Sequence, residues 1–387
     1  MVSYQALAVG AGPVELGIIT SSFALLSLVL AVPIGRWVDR WGEPRFVVIG
    51  TALISLVALS LVWIDSIPAL AASQAALGLG HILNVVATQT LIANAGDPAG
   101  RDGRFGAFTV VVSLGQLAGP ALGGLLAGKA LRSAAGMAAG VDPVFLLAAV
   151  SAALACVVGI SLWRWQPSRI ETRDTPAPSQ PPPGSRATLG RVLAVPSMPE
   201  AMLASLTVLT SIDILVAYLP AYGEANAIPV EVIGLLLATR AGASLASRLL
   251  MMPLTRMLGR RRLLAASMFL PAAALLPVPL VTSEPLLFAA MLFIGFGLGL
   301  GQPLTLSWVA SRAPLEVRGT ALGVRLSGNR LGQLVLPAAV GAIAGWGGLA
   351  AIFWTLTALL GLAATLVVRA EFGDRARPET ELPVSAQ

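Results

Sequence analysis

Histidine and cysteine each occur once in this chain, as His81 and Cys156, and charge is scarce throughout. A single cysteine cannot close an intrachain disulfide, so cysteine usage leaves the redox compartment open. A single histidine argues against a His-based metal cage, and no cluster of acids stands in for it. Neither an enzyme nor a resident metal or cofactor is therefore expected. Charged residues make up 11% of the 387, against roughly 25% in a soluble domain. What fills the chain instead is apolar, at 56%, with a mean hydropathy of +0.82. That balance points to an integral, all-α membrane protein. The opening residues do not read as a cleavable signal peptide, because a basic start and an apolar core with a cleavage site are missing.

The apolar residues come in long runs. A spanning helix needs about 20 of them, and such runs lie at 14–38, 45–64, 68–94, 105–126, 143–162, 200–223, 231–254, 263–281, 285–309, 319–344 and 349–369. A further apolar piece at 3–12 is too short to span, at about 15 Å if helical. Between 164 and 199 the composition changes. The string Thr175-Pro-Ala-Pro-Ser-Gln-Pro-Pro-Pro-Gly-Ser has nothing to bury and predicts an extended linker. It separates an N-terminal helical half, 1–163, from a C-terminal half, 200–369. The polar tail, 370–387, is expected to be disordered.

The two halves repeat each other at an offset of 217 residues. Gly17, Gly42, Arg45 and Pro68 are answered by Gly234, Gly259, Arg262 and Pro285. Gly78, Gly80 and Arg101 are answered by Gly295, Gly297 and Arg318. Gly106, Gly115, Gln116, Pro120 and Gly124 are answered by Gly323, Gly332, Gln333, Pro337 and Gly341. So long a series at one offset predicts two homologous six-helix halves. The counterpart of the run at 200 would begin ahead of Met1. Helix 1 is therefore read as incomplete, and the runs above are helices 2 to 12.

The sequence pI is about 10.6, but the basic residues sit in short loops between apolar runs. They read as topology determinants and not as a nucleic-acid face. Loops 2–3, 4–5, 6–7, 8–9 and 10–11 and the tail hold 19 of the 25, four lie within helices, and only Lys129 and Arg132 fall on the opposite side. The positive-inside rule makes the first side cytoplasmic, together with both termini of a complete twelve-helix chain. The expected location is a plasma membrane, as a multi-pass protein of a bacterial inner membrane.

Two motifs stand out. Gly35-Arg-Trp-Val-Asp39-Arg40-Trp-Gly42-Glu43-Pro44-Arg45 reads as a short charged hairpin, with glycines for the reversal and Pro44 to open the next helix. Spacing alone would also allow an ordinary membrane-edge loop. Gly115-Gln-Leu-Ala-Gly119-Pro120-Ala-Leu-Gly123-Gly124 puts small residues four apart, which lets a neighbouring helix approach closely. Simple GxxxG packing is the plainer reading of any one pair. Together with the helix count and the repeat, the motifs resemble the major facilitator superfamily, and the second is similar to the mark of its drug:proton exporters. The resemblance implies alternating access by two rocking halves. It also implies that Gly35, Asp39, Arg40 and Gly42, with Arg45 adjacent, form a latch. Asp39 would engage a helix N-terminus or an arginine. Glu43 and Pro44 depart from the basic residues usual there, and the counterpart loop has Met252 and Arg256 in place of Gly35 and Asp39. Gln74 stands where such antiporters often carry an arginine.

Polar groups at membrane depth indicate this chain's own chemistry. Asp213, Arg240, Arg330, His81 and Asn84 fall near mid-bilayer, with Arg325 nearer the cytoplasm. A lone charge there costs at least about 2.5–3.5 kcal/mol, so these side chains face a cavity or one another. Asp213 is the proton-coupling candidate; His81, Asn84, Arg240, Arg325 and Arg330 are substrate-cavity candidates. The alternatives are a structural Asp213–arginine pair and a His81 that serves as a contact between helices. Arg248 and Glu15, nearer helix ends, read as structural. The expected activity is proton-coupled export of a small organic or drug-like molecule by a monomeric antiporter. Its partners would be substrate, protons and the lipid bilayer, with no nucleic acid. An organic anion is the second substrate class, since arginines outnumber carboxylates at the midplane. A non-transporting sensor or scaffold is the other functional class, and no large extramembrane domain supports it.

Overall fold

A computed structural model describes residues 1–94, 101–133, 137–165, 190, 194–312 and 318–370. Most of the expected linker and the tail from 371 lie outside these residues. The described chain is helical: α1 (Val2–Ala8), α2 (Pro13–Trp41), α3 (Glu43–Ser60), α4 (Ile67–Asn94), α5 (Arg101–Ser133) and α6 (Met137–Trp165) form one half. The other half contains α7 (Met198–Ala225), α8 (Val230–Leu249), α9 (Met251–Leu258), α10 (Arg260–Leu275), α11 (Glu284–Arg312), α12 (Arg318–Gly347) and α13 (Ala350–Arg369).

Ten of these helices are long and apolar enough to cross a membrane. The run at 319–344 forms α12, a helix of 30 residues, but it is not among the ten. Arg318, Arg325 and Arg330 along its length explain why. Exposed tryptophans sit at both ends of the bundle, Trp37, Trp41 and Trp163 at one and Trp63 and Trp346 at the other. This is the interfacial placement their amphipathic rings favour.

The charged hairpin expected at 35–45 is corrected by the structure. Helix α2 runs on through Pro33 and Gly35 to Trp41, and α3 starts at Glu43. The reversal is made at Gly42 alone, whose φ of 88° suits glycine and few other residues. Pro44 does open α3, in its first turn. Gly259 does the same between α9 and α10, with φ 74°. The run at 231–254 is likewise divided, because the chain turns at Leu250 before α9.

The repeat seen in sequence is a repeat of helix crossings. Gly78 of α4 packs on the Phe23 backbone of α2, and Gly295 of α11 packs on the Arg240 backbone of α8. Gly80 meets Gly50 and Ile54, while Gly297 meets Ser267 and Pro271. Each partner in the second half again lies 217 positions after its counterpart. The same symmetry joins the halves along two antiparallel seams, α2 with α12 and α5 with α8. Gly17 lies against Pro337 and Gly341 in the first seam, and Gly234 lies against Pro120 and Gly124 in the second.

Candidate functional site

Helix α7 enters from the Gly42/Gly259 end and carries Asp213 at mid-length. Opposite it, α12 presents Arg325, Asn329 and Gln333 at every fourth position, which is one face of a helix. Gln333 donates from Nε2 to Asp213 Oδ2 at 2.6 Å. Arg330 Nη1 donates to Gln333 Oε1 at 3.0 Å. A carboxylate only accepts and a guanidinium only donates, so one amide can serve both, and only in this orientation. The direct Asp213–arginine pair is thus replaced by a three-membered chain among the described residues. Arg240 and Arg330 are both near enough for their charges to act on Asp213.

The three mid-depth arginines differ in how they are satisfied. Arg325 donates to Gln302 Oε1 at 2.9 Å, to the Gln302 carbonyl at 3.3 Å and to Thr305 Oγ1 at 3.3 Å. Gln302 Nε2 in turn donates to the Ser205 carbonyl at 2.7 Å, and Ser205 Oγ bonds Asn329 Oδ1 at 3.0 Å. This network ties α7, α11 and α12 together within one half. Arg330 spends one nitrogen on Gln333, while its Nε is buried without a hydrogen-bond partner among the described residues. Arg240 is 6% exposed, and its guanidinium has no hydrogen-bond partner among the described residues.

Across the interior, His81 of α4 is exposed with its ring centroid 5.5 Å from that of Phe23. It forms no hydrogen bond to a described residue, and the Arg330 charge reaches it from the other half. Asn84 accepts from Thr88 Oγ1 at 3.0 Å on the same helix. His81, Arg330 and Asp213 therefore share one interior region, whereas Asn84 and Arg325 are held by their own neighbours. Glu15 accepts from the Gly12 N–H at 2.9 Å and caps α2. Arg248 spans the α5–α8 seam, donating to Ser113 Oγ at 3.1 Å and to the Gly299 carbonyl at 3.3 Å.

The two motifs separate in role. Asp39 and Arg40 are exposed in the last turn of α2, where the Arg40 guanidinium lies 5.9 Å from the Trp41 ring. Arg45 stands 5.7 Å from the Trp163 ring. No described residue hydrogen-bonds Asp39. In α5, a Cβ on Gly124 would stand 2.8 Å from the Gly234 Cα, and one on Gly123 would meet Met1 and Val144. Gly115 and Gly119 face open space, and Gly119 and Pro120 line a cavity of about 210 Å³ with Val216, Ile233 and Leu237.

Gln333, Gln302, Asn329 and Tyr218 were not picked out as functional residues from the sequence. The fourfold spacing of Arg325, Asn329 and Gln333 is the signal that marks Asn329 and Gln333; Gln302, on α11, stands outside it. Tyr218 carries no such signal. Its hydroxyl lies 2.8 Å from the Pro13 carbonyl and 3.2 Å from that of Pro337, where α2, α7 and α12 meet.

A model of the Major Facilitator Superfamily matches residues 1–228 and again 201–386. The chain belongs to that superfamily. Multidrug resistance protein 2 of Bacillus subtilis is 27% identical over 138 residues. That alignment covers 34% of this chain and 34% of the relative, so the chain spans about a third of the curated protein it matches. Among solved structures, a bacterial homologue of the human lysosomal transporter Spinster, inward-facing and occupied, superposes with a TM-score of 0.72 at 16% identity. It is covered to 95%, with 97% of this chain aligned. A D-xylose–proton symporter gives 0.73 at 15% identity, with 94% of this chain and 91% of that one covered. A nucleoside transporter gives 0.71 at 12%, with 95% and 92% covered. At these identities the likeness is one of fold, the fold of a multi-pass membrane transporter.

Proposed function

We propose that the protein is a proton-coupled exporter of small organic molecules, with Asp213 as the residue that exchanges protons. The observation that carries this reading is the Asp213–Gln333–Arg330 chain. It joins α7 to α12, and α12 also forms one seam with the other half. While Asp213 is ionised, its charge holds Gln333 and, through it, Arg330. A proton on Asp213 cancels that charge and loosens both. A carboxylate that trades between this chain and a proton would couple a gradient to rocking about the two seams. The multidrug name of the Bacillus relative supports export of drug-like molecules. The cytoplasmic face would be the one bearing Gly42 and Gly259, where Asp39 would latch in the opposite state.

A second substrate class, organic anions, is favoured by Arg240. A buried guanidinium without a partner is costly unless a ligand supplies one, and a carboxylate fits it in geometry and charge. Proteoliposomes test both readings. An imposed proton gradient should drive uphill transport, and anionic compounds should compete with a drug-like substrate where Arg240 is intact. Uphill transport that does not depend on the proton gradient would contradict the coupling.

A further inference from the structure

The turn between α9 and α10 keeps the first half's positive-φ glycine and puts arginine where the first half has its two acids. Arg36 and Arg40 are answered by Pro253 and Met257. Gly259 repeats Gly42 in sequence and in positive φ. Around Gly42 the first half places Asp39 and Glu43; at the matching positions the second half has Arg256 and Arg260, followed by Arg261 and Arg262. Glu43 is engaged, accepting from Asn94 Nδ2 at 2.6 Å. The four arginines are all exposed. Among the described residues, the contact recorded for their guanidinium groups is the 3.8 Å approach of Arg256 Nη2 to the Met252 sulfur.

Beside these charges lies an apolar apron. Helix α9 buries none of its eight residues. Leu249, Leu250, Met252, Met257 and Leu258 are exposed at the membrane end of α8 and along α9. Apolar side chains at that depth meet the upper part of lipid acyl chains, and arginines next to them reach the headgroup phosphates. The topology rule accounts for basic charge on this side. It accounts neither for arginine replacing acid at matched positions nor for the apron.

We propose that this corner binds an anionic phospholipid, whose phosphate supplies the negative charge that Asp39 and Glu43 supply in the first half. Guanidinium groups bind phosphate through paired hydrogen bonds, and four of them within seven residues give the charge density for it.

Native mass spectrometry of the purified protein tests this, with detergent micelles titrated with phosphatidylglycerol or phosphatidylcholine. The wild type should retain phosphatidylglycerol in preference, and the preference should weaken with salt. Each arginine removed should cost about fivefold in retention. Arg256→Gln/Arg260→Gln should therefore lose most of it, and Arg256→Asp/Arg260→Glu should fall to the phosphatidylcholine level. Glycerol phosphate at the same concentration should not displace the lipid. Equal retention of the two lipids by the wild type would overturn the proposal whatever the variants do. So would unchanged retention by either variant at an unchanged melting temperature, or displacement by glycerol phosphate.

Discussion

Gln333 stands between Asp213 and Arg330, donating to the carboxylate at 2.6 Å and accepting from the guanidinium at 3.0 Å. The acid and the base are thereby joined without touching. A direct ion pair at this depth would be hard to open, since separating it leaves two bare charges in a medium that solvates neither. An amide between them makes the connection breakable from one end.

Replacing the amide should expose this. Gln333→Met keeps the side-chain volume and removes both hydrogen bonds. It should lower proton-driven accumulation by about tenfold or more, since even one hydrogen bond to a charged group is worth about 1.5 kcal/mol. Substrate binding measured without a gradient should change less. Equal loss of both would assign Gln333 to the substrate site.

The seams between the halves should tolerate no added bulk. A Cβ on Gly17 would stand 2.6 Å from the Pro337 carbonyl, and one on Gly124 would stand 2.8 Å from the Gly234 Cα. Gly17→Val and Gly124→Val should each cost about 1–3 kcal/mol through overpacking. Gly115→Ala, where no neighbour lies within reach, should leave the melting temperature of the folded protein unchanged. Thermal unfolding in detergent measures all three.

Tyr218 should help hold the end of the bundle remote from Gly42. Tyr218→Phe removes the hydroxyl placed between the Pro13 and Pro337 carbonyls and should loosen α2 from α12. Ser21, whose Oγ accepts from the Ala338 N–H at 3.1 Å in the same seam, reports on this. In a Cys156→Ser background, Ser21→Cys should react severalfold faster with a membrane-impermeant thiol reagent once Tyr218 is phenylalanine, for a gain of about 1 kcal/mol in opening.

Asp39 should matter for transport and hardly for stability. It is exposed and makes no hydrogen bond to a described residue, so Asp39→Asn should stay within about 0.5 kcal/mol of wild type. Flux should nonetheless fall if the residue latches the alternate state. A parallel fall in folded protein and flux would make it an ordinary part of the membrane edge.

Much of the fold was legible because the repeat is written in glycine. Gly17, Gly78, Gly80 and Gly124 recur 217 residues later because both copies are places where a helix backbone comes too near for a side chain. The turn was misjudged for a related reason. Gly35 looks like a hairpin residue in sequence, but it lies inside α2, and the left-handed conformation falls on Gly42 alone. The mid-depth charges were visible, but their partners were not. Which arginine meets Gln302, which meets Gln333 and which has no hydrogen-bond partner among the described residues depends on the rotation of α8 and α12 against their neighbours, and charge spacing does not encode it.

Asp213→Asn in proteoliposomes, with uphill accumulation and energy-independent exchange measured on the same preparation, is the most direct test of the account. The asparagine keeps an oxygen to accept from Gln333 and cannot take up a proton. Accumulation driven by a proton gradient should therefore be abolished while exchange persists. Undiminished uphill transport by a stably folded Asp213→Asn protein would remove Asp213 from the coupling mechanism and leave its chain to Arg330 a structural tie.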